Sequence, residues 1–319
     1  MPARVAGTAA AAAAADAGDS TAPRRFDEAF LRKLEALTLL AKRTQGGGAR
    51  AQRRSRRVGA GIEFADHREY APGDDVRALD WNLLARLDRP YVRLREEDED
   101  LTLSVMVDSS ASMGSGAPPK LELAVRVAAA LAYVGLSGLD RVGVALVGSG
   151  AQEVLPPRRA GSGRSMATRI FRMLEDARAV GRTDLTRATR EVHARSEGAG
   201  TRRLAVLISD MLDPAGSLPV LDALRAARQE VVLVQVTAEA DAVLPVDGEV
   251  VLQDVETGET RKLTVTEAVR RTQGERYEAL LRGVAGVCRK RGVSCFQIPS
   301  HVAFDDAVLR ILRAGGIFR

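Results

Sequence analysis

Residues 101–114 read LTLSVMVDSSASMG. The largely apolar run from Leu101 to Val107 stops at Asp108, and Ser110 and Ser112 follow at every second position. A short apolar run of this kind reads as a strand buried on both faces, the central type in a parallel sheet. Where such a strand leaves the sheet, side chains at i, i+2 and i+4 still point to one side. The oxygens of Asp108, Ser110 and Ser112 therefore gather on one side of one turn. An oxygen-only set suits a hard cation, Mg²⁺ ahead of Ca²⁺, because Mg²⁺ accepts few protein ligands and keeps water for the rest. The plainer reading is that Asp and Ser after a strand are ordinary turn and N-cap residues. What separates the two readings lies further along the chain.

Downstream, helical and strand patterns alternate. A helix is predicted over 121–136, Ala-rich and apolar nearly all round, hence buried against a sheet. Strands follow at 142–147, 203–208, 231–236 and 293–298, with a short edge strand at 153–155. Helices are predicted over 165–180, 185–197, 217–229, 266–291 and 304–313. Residues 250–255 and 260–265 flank Glu256-Thr257-Gly258-Glu259 and read as a β-hairpin excursion near 249–265. This alternation predicts an α/β fold with right-handed crossovers, a doubly wound, mainly parallel sheet with helices on both faces. Ligands in such sheets bind beyond the carboxyl ends of the strands, where strand order reverses.

Upstream, residues 1–25 are Ala-rich and low in complexity, and read as a disordered tail. Its Ala9–Ala15 run lacks the Leu, Ile and Phe of a signal-peptide core. Residues 26–100 form a second region. It begins with an amphipathic helix over 26–44, with apolar residues at Phe26, Phe30, Leu34, Leu37, Leu40 and Ala41. A basic run follows, Arg50, Arg53, Arg54, Arg56 and Arg57, without interleaved aromatics for base stacking. It reads as a solvated linker, with an anion-binding arm as the alternative. Residues 63–81 then crowd charges around the Pro72-Gly73 turn and the single tryptophan, Trp81. Arg68, Asp75, Arg77, Asp80 and Trp81 form either a salt-bridged structural cluster or a docking surface for a partner.

The length of 319 residues is ample for a core. A net charge of +5, with many charges of both signs, allows a basic patch but does not by itself indicate nucleic acid. The two cysteines, Cys288 and Cys295, make neither a C-x-x-C pair nor a disulfide framework, which favours a reducing, cytoplasmic setting. No stretch of about twenty apolar residues is present, so no transmembrane helix is expected.

Three loops share one chemistry. Asp108, Ser110 and Ser112 follow one strand, Asp210 follows another in Leu207-Ile208-Ser209-Asp210, and Thr183 sits in Gly181-Arg182-Thr183-Asp184 ahead of a helix. Parallel strands place both strand-following loops on one rim. Two carboxylates brought together there are costly unless a cation lies between them. Each residue also has a plain role as a cap or turn residue, Asp213 included.

VDSSASM, GRTDL and LISD resemble the metal-ion-dependent adhesion site of von Willebrand factor A-type domains. EFADHREYAPGDDVRALDWNLLAR and DVETGE are similar to a narrower bacterial group, domain-of-unknown-function family fifty-eight, usually encoded beside MoxR-type AAA ATPases. The resemblance runs from about Phe26 to the end and implies a von Willebrand factor A-like domain over 101–319. It implies that Asp108, Ser110, Ser112, Thr183 and Asp210 hold a divalent ion, Mg²⁺ or alternatively Mn²⁺ or Ca²⁺. It further implies a non-enzymatic protein-binding module, an adaptor or co-chaperone of a MoxR-type ATPase, whose partner offers a carboxylate to the ion. Two other functions compete. One is a Mg²⁺-dependent phosphohydrolase with Asp108 as nucleophile, although Ser110 stands where haloacid-dehalogenase-like enzymes carry a second Asp. The other is nucleic-acid binding through Arg50–Arg57.

Overall fold

The computed structural model describes residues 3–5, 25–46, 54–59, 63–72, 74, 76, 79–98, 101–138, 141–158, 163–195, 202–213, 215–226 and 229–314. In chain order these form β1 (Ala3–Val5), α1 (Glu28–Gly46), β2 (Arg54–Gly59), β3 (Glu63–Glu69), α2 (Trp81–Leu87), β4 (Tyr91–Asp98) and β5 (Leu101–Asp108). Then come α3 (Lys120–Ser137), β6 (Arg141–Val147), β7 (Ala151–Arg158), α4 (Gly163–Glu175), α5 (Leu185–Arg195), β8 (Arg202–Ser209) and α6 (Ser217–Ala226). The chain closes with β9 (Glu230–Thr237), α7 (Glu239–Ala242), β10 (Gly248–Asp254), β11 (Thr260–Val265), α8 (Glu267–Arg291), β12 (Ser294–Pro299) and α9 (Phe304–Ala314). The chain divides into two compact units, Met1–Ala41 with Leu101–Ile317, and Lys42–Asp100 with the last two residues.

In the larger unit, six strands among the described residues form one sheet in the order β12-β9-β8-β5-β6-β7. The pairs β12–β9, β9–β8, β8–β5 and β5–β6 are parallel, and β7 joins antiparallel at the edge. This is the doubly wound, mainly parallel α/β architecture expected. The chain moves outward from β5 through β6 to β7, then returns to β8 on the other side of β5. Strand order therefore reverses between β5 and β8, and Val107 pairs with Ile208 at the carboxyl ends of those two strands.

Strand β5 is buried on both faces, as its near-continuous apolar run requires, with Leu103, Val105 and Val107 fully inaccessible. Helix α3 is buried almost all round, so its alanines let it lie close to the sheet. A Cβ added at Gly135 would stand 3.0 Å from Val142 and 3.1 Å from Leu103. Each fully buried Leu or Val contributes roughly 1.5–3 kcal/mol of transfer free energy, so the β5–α3 layer dominates the stability of the floor beneath the site.

Two boundaries differ from the sequence reading. Helix α1 up to Ala41 belongs with the α/β unit rather than with residues 42–100. Its apolar face is the reason. Phe30, Leu34 and Leu37 are buried, and Phe30 packs on Phe304 at 4.6 Å between ring centroids and on Phe171 at 6.4 Å. Arg25 anchors the start of this segment by donating to the carbonyls of Leu174 and Glu175, which end α4, and of Ala177 just beyond it. Within the expected disordered tail, Ala3–Val5 pairs antiparallel with β10. The open edge of the β10–β11 hairpin supplies backbone groups that a short strand can satisfy. Residues 6–24 lie outside the described residues.

In the smaller unit, β2, β4 and β3 form an antiparallel sheet with β4 in the middle. Strand β2 carries Arg54, Arg56 and Arg57, so the second half of the basic run is a strand and not a linker. Ladder pairing with β4 specifies that strand where its charged sequence does not. Arg50 and Arg53 lie outside the described residues.

Candidate metal centre

Asp108 is the last residue of β5, and the chain turns at once into a single 3₁₀ turn, Ala111–Gly114. Asp108, Ser110 and Ser112 are fully buried in this turn. One carboxylate oxygen of Asp108 accepts from the Ser110 amide at 2.9 Å, and the other accepts from the Ser209 hydroxyl at 2.7 Å. The Ser110 and Ser112 hydroxyl oxygens are 3.0 Å apart. Asp210 follows β8 directly, beside the β5 rim, and is also buried. The next residue, Met211, has φ of 60°, a left-handed conformation that a non-glycine residue seldom adopts. The Asp210 carboxylate accepts from the Leu212 amide at 3.0 Å.

Thr183 lies on the same rim. Its loop is tied to the Asp108 loop by the Val180 amide donating to Ser109 (2.9 Å) and the Ala111 amide donating to Gly181 (3.0 Å). Asp184 caps α5 through the Arg187 amide, and Asp213 accepts from the Leu185 amide at 2.9 Å, joining the Thr183 and Asp210 loops. The plain roles therefore fall to Asp184 and Asp213, which leaves Thr183 free of capping duty.

Electrostatics single out the pair at the switch point. Burial, and then the neighbouring Asp210 charge, push the Asp108 carboxyl up to about 7. Beneath Asp210 lies a fully buried lysine, Lys120, the first residue of α3, which donates to Asp210 at 2.7 Å and to Asp241 at 2.6 Å. Burial disfavours its charge, but the two carboxylates outweigh burial and hold its pKa above the usual lysine value. Asp241 also accepts from the Ser115 hydroxyl at 2.8 Å.

Do these residues fit a divalent ion? Octahedral Mg²⁺ with oxygens at about 2.0–2.1 Å sets neighbouring oxygens about 3.0 Å apart, which the Ser110–Ser112 separation matches. The Asp108–Asp210 pair supplies charge that Lys120 neutralises only in part. Among the described residues no three carboxylate, imidazole or thiol groups converge in a metal-holding arrangement. An ion here relies on hydroxyls as well as carboxylates, and the residues present fit that.

Sequence reading missed four participants, namely Lys120, Ser209, Asp241 and Glu256. Glu256 lies at the tip of the β10–β11 hairpin. Its carboxylate accepts from the Thr183 hydroxyl at 2.7 Å and from the Thr183 amide at 3.0 Å. The only sequence signal for Lys120 is its place at the start of a helix that is apolar nearly all round, where a charge that is buried must find a partner.

The residues suggested for docking divide. Asp80 is buried and caps α2, accepting from the amides of Asn82 and Leu83 and pairing with His67 at 2.8 Å. Arg68 grips Asp74 with two hydrogen bonds of 2.9 and 2.8 Å. Both hold local structure, the salt-bridged role weighed for them in the sequence. Trp81 is 65% exposed. Asp75 and Arg77 lie outside the described residues.

Fold and site together define a doubly wound α/β protein with an Asp-Ser-Ser turn facing an Asp loop across the switch point. By sequence the chain belongs to the family described as "Protein of unknown function DUF58", whose model matches residues 66–280. It is similar to uncharacterized proteins of Mycobacterium bovis and Mycobacterium tuberculosis, each 36% identical over 214 residues. Each alignment spans 66% of this chain and 66% of the relative's length, slightly under two thirds of it. Similar solved structures include the conserved hypothetical protein BatB of Bacteroides thetaiotaomicron, with TM-score 0.46 and 16% identity over 68% of this chain and 98% of that one. A manganese-loaded TRAP protein of Plasmodium vivax matches with TM-score 0.39 and 16% identity over 67% of this chain and 72% of that one. No helix among the described residues is long and apolar enough to cross a membrane.

Proposed function

We propose that this chain is a non-enzymatic, divalent-metal-dependent protein-binding module of the von Willebrand factor A type. The observation that carries the reading is the convergence of Asp108, Ser110, Ser112 and Asp210 where strand order reverses, with Thr183 on the same rim. Ser110, Ser112 and Thr183 would hold the ion through neutral hydroxyls, and Asp108 and Asp210 would balance its charge. Such an ion, Mg²⁺ or alternatively Mn²⁺ or Ca²⁺, supplies a hard electrophilic centre, which suits a carboxylate offered by a partner protein. The family resemblance makes a MoxR-type AAA ATPase the partner to test first, with this chain as adaptor or co-chaperone. Trp81, exposed on α2, is a second contact residue in this reading. A cytoplasmic location is part of it and rests on cysteine usage.

Asp108 is a poor candidate for a nucleophile. It is fully buried and both its oxygens already accept hydrogen bonds, which leaves no open approach for a substrate phosphorus. The test is calorimetric titration of Mg²⁺ and Mn²⁺ into chelator-stripped protein, beside Asp108→Ala. Saturable binding of one ion, lost in the variant, supports the module. Wild-type-like binding by Asp108→Ala would sink it.

A further inference from the structure

The β10–β11 hairpin stands outside the six-stranded sheet. Most of its residues are exposed or half-buried, so it adds little to the core. Its tip, in contrast, is tightly specified. The Asp254 carboxylate accepts from the amides of Glu256 and Thr257, both at 2.8 Å. The Asp254 amide donates to Glu259 at 2.8 Å and the Gly258 amide donates to Asp254 at 2.9 Å. Gly258 sits at φ of 74°, a backbone state that glycine adopts without strain. The product of this ordering is one carboxylate, Glu256, delivered to a residue 73 positions away in the chain.

That residue is Thr183, and the approach is two-pronged, to its amide and its hydroxyl. A hydroxyl has one proton and two lone pairs. Thr183 can therefore donate to Glu256 while a lone pair remains for a cation on the Ser110–Ser112 side. The carboxylate of Glu256 thus stands beside a candidate ligand, on the rim where an arriving acidic side chain would have to enter.

We propose that the chain carries its own carboxylate for this site. Glu256 takes the coordination position that a partner's acidic residue would otherwise take, and the hairpin must give way before a partner binds. The proposal rests on the metal-dependent reading above. It adds a ligand contributed in cis and makes partner binding a competition between two carboxylates for one position. Hydrogen bonds such as those from Thr183 to Glu256 at the hairpin tip can be exchanged for those of an arriving carboxylate.

The test uses Mn²⁺ as the probe in the full-length chain, read by binding titration and by water-proton relaxation of the bound ion. Glu256→Gln removes the charge, and Glu256→Asp keeps the charge but shortens the reach. Both should still bind one Mn²⁺, about tenfold more weakly for the lost ligand. Relaxation enhancement per bound Mn²⁺ should rise in both variants as water enters the released position. Millimolar acetate should reverse that rise in the variants and leave the wild type unchanged. If relaxation in both variants matches the wild type, or if acetate affects the wild type equally, Glu256 only orients Thr183 and the proposal fails. That result leaves the metal site itself standing. Failure of the wild type to bind Mn²⁺ overturns this proposal and the reading beneath it together.

Discussion

Lys120→Met is the perturbation whose outcome follows most directly from the geometry. Lys120 is wholly inaccessible and bridges Asp210 and Asp241 at 2.7 and 2.6 Å. Methionine keeps the length and apolar stem of the side chain, so the substitution removes charge and donors while leaving little cavity. Two buried carboxylates then face each other without their shared cation. Deleting one partner of a buried ion pair costs about 3–5 kcal/mol, because the other charge is left desolvated and unpaired. In a domain of this size 1 kcal/mol shifts the melting temperature by about 2–4 °C, so a fall of roughly 6–20 °C is expected. The assay is thermal unfolding followed by circular dichroism at pH 7.5 with chelator present. A loss below about 1 kcal/mol at pH 7.5 would refute the reasoning, since a deletion that leaves a buried charge unpaired costs several times that.

Asp108 has its folded pKa raised to about 7, so the folded, metal-free protein takes up a proton that the unfolded chain releases near pH 4. Its contribution to stability is complete below about pH 4 and is lost as pH rises through 7. Metal binding must expel that proton, so Mg²⁺ affinity should increase about tenfold per pH unit up to pH 7 and then level off, as calorimetry across that range would measure. Gly143→Ala places a Cβ 2.8 Å from the backbone nitrogen of Pro157 on the neighbouring strand. A backbone atom cannot move aside cheaply, and a destabilisation of about 1–3 kcal/mol in urea melts is expected.

The parts of the site legible in sequence were those encoded over short distances. The run that ends in Asp108 gives a buried strand its pattern, and alternate positions carry Ser110 and Ser112 into the same turn. Asp210 was legible because its strand has the same apolar signature, and pairing of β5 with β8 then brings the two loops together. The helices and strands of the α/β unit were likewise readable, because their periodicities are strong. Lys120, Asp241 and Glu256 were not legible as participants. Lys120 meets Asp241 across 121 positions and Thr183 meets Glu256 across 73, distances over which only the fold decides proximity. A lone charged residue in sequence looks the same whether it is solvated or buried against a partner. Strand β2 was missed for a related reason. Its Arg-rich sequence has no apolar alternation, and its conformation comes from pairing with β4.

Helix α1 has a consequence for how the chain is made. Lys33 and Phe30 find Asp305 and Phe304 on α9, and the first of these contacts joins residues 272 positions apart. At about 5–20 residues per second, a ribosome needs roughly 15–55 s to synthesise the interval between them. For that time α1 has no docking site on α9 and can rest only on partners made earlier, such as Phe171 of α4. Helix α9 thus acts as the latch that completes the packing of α1.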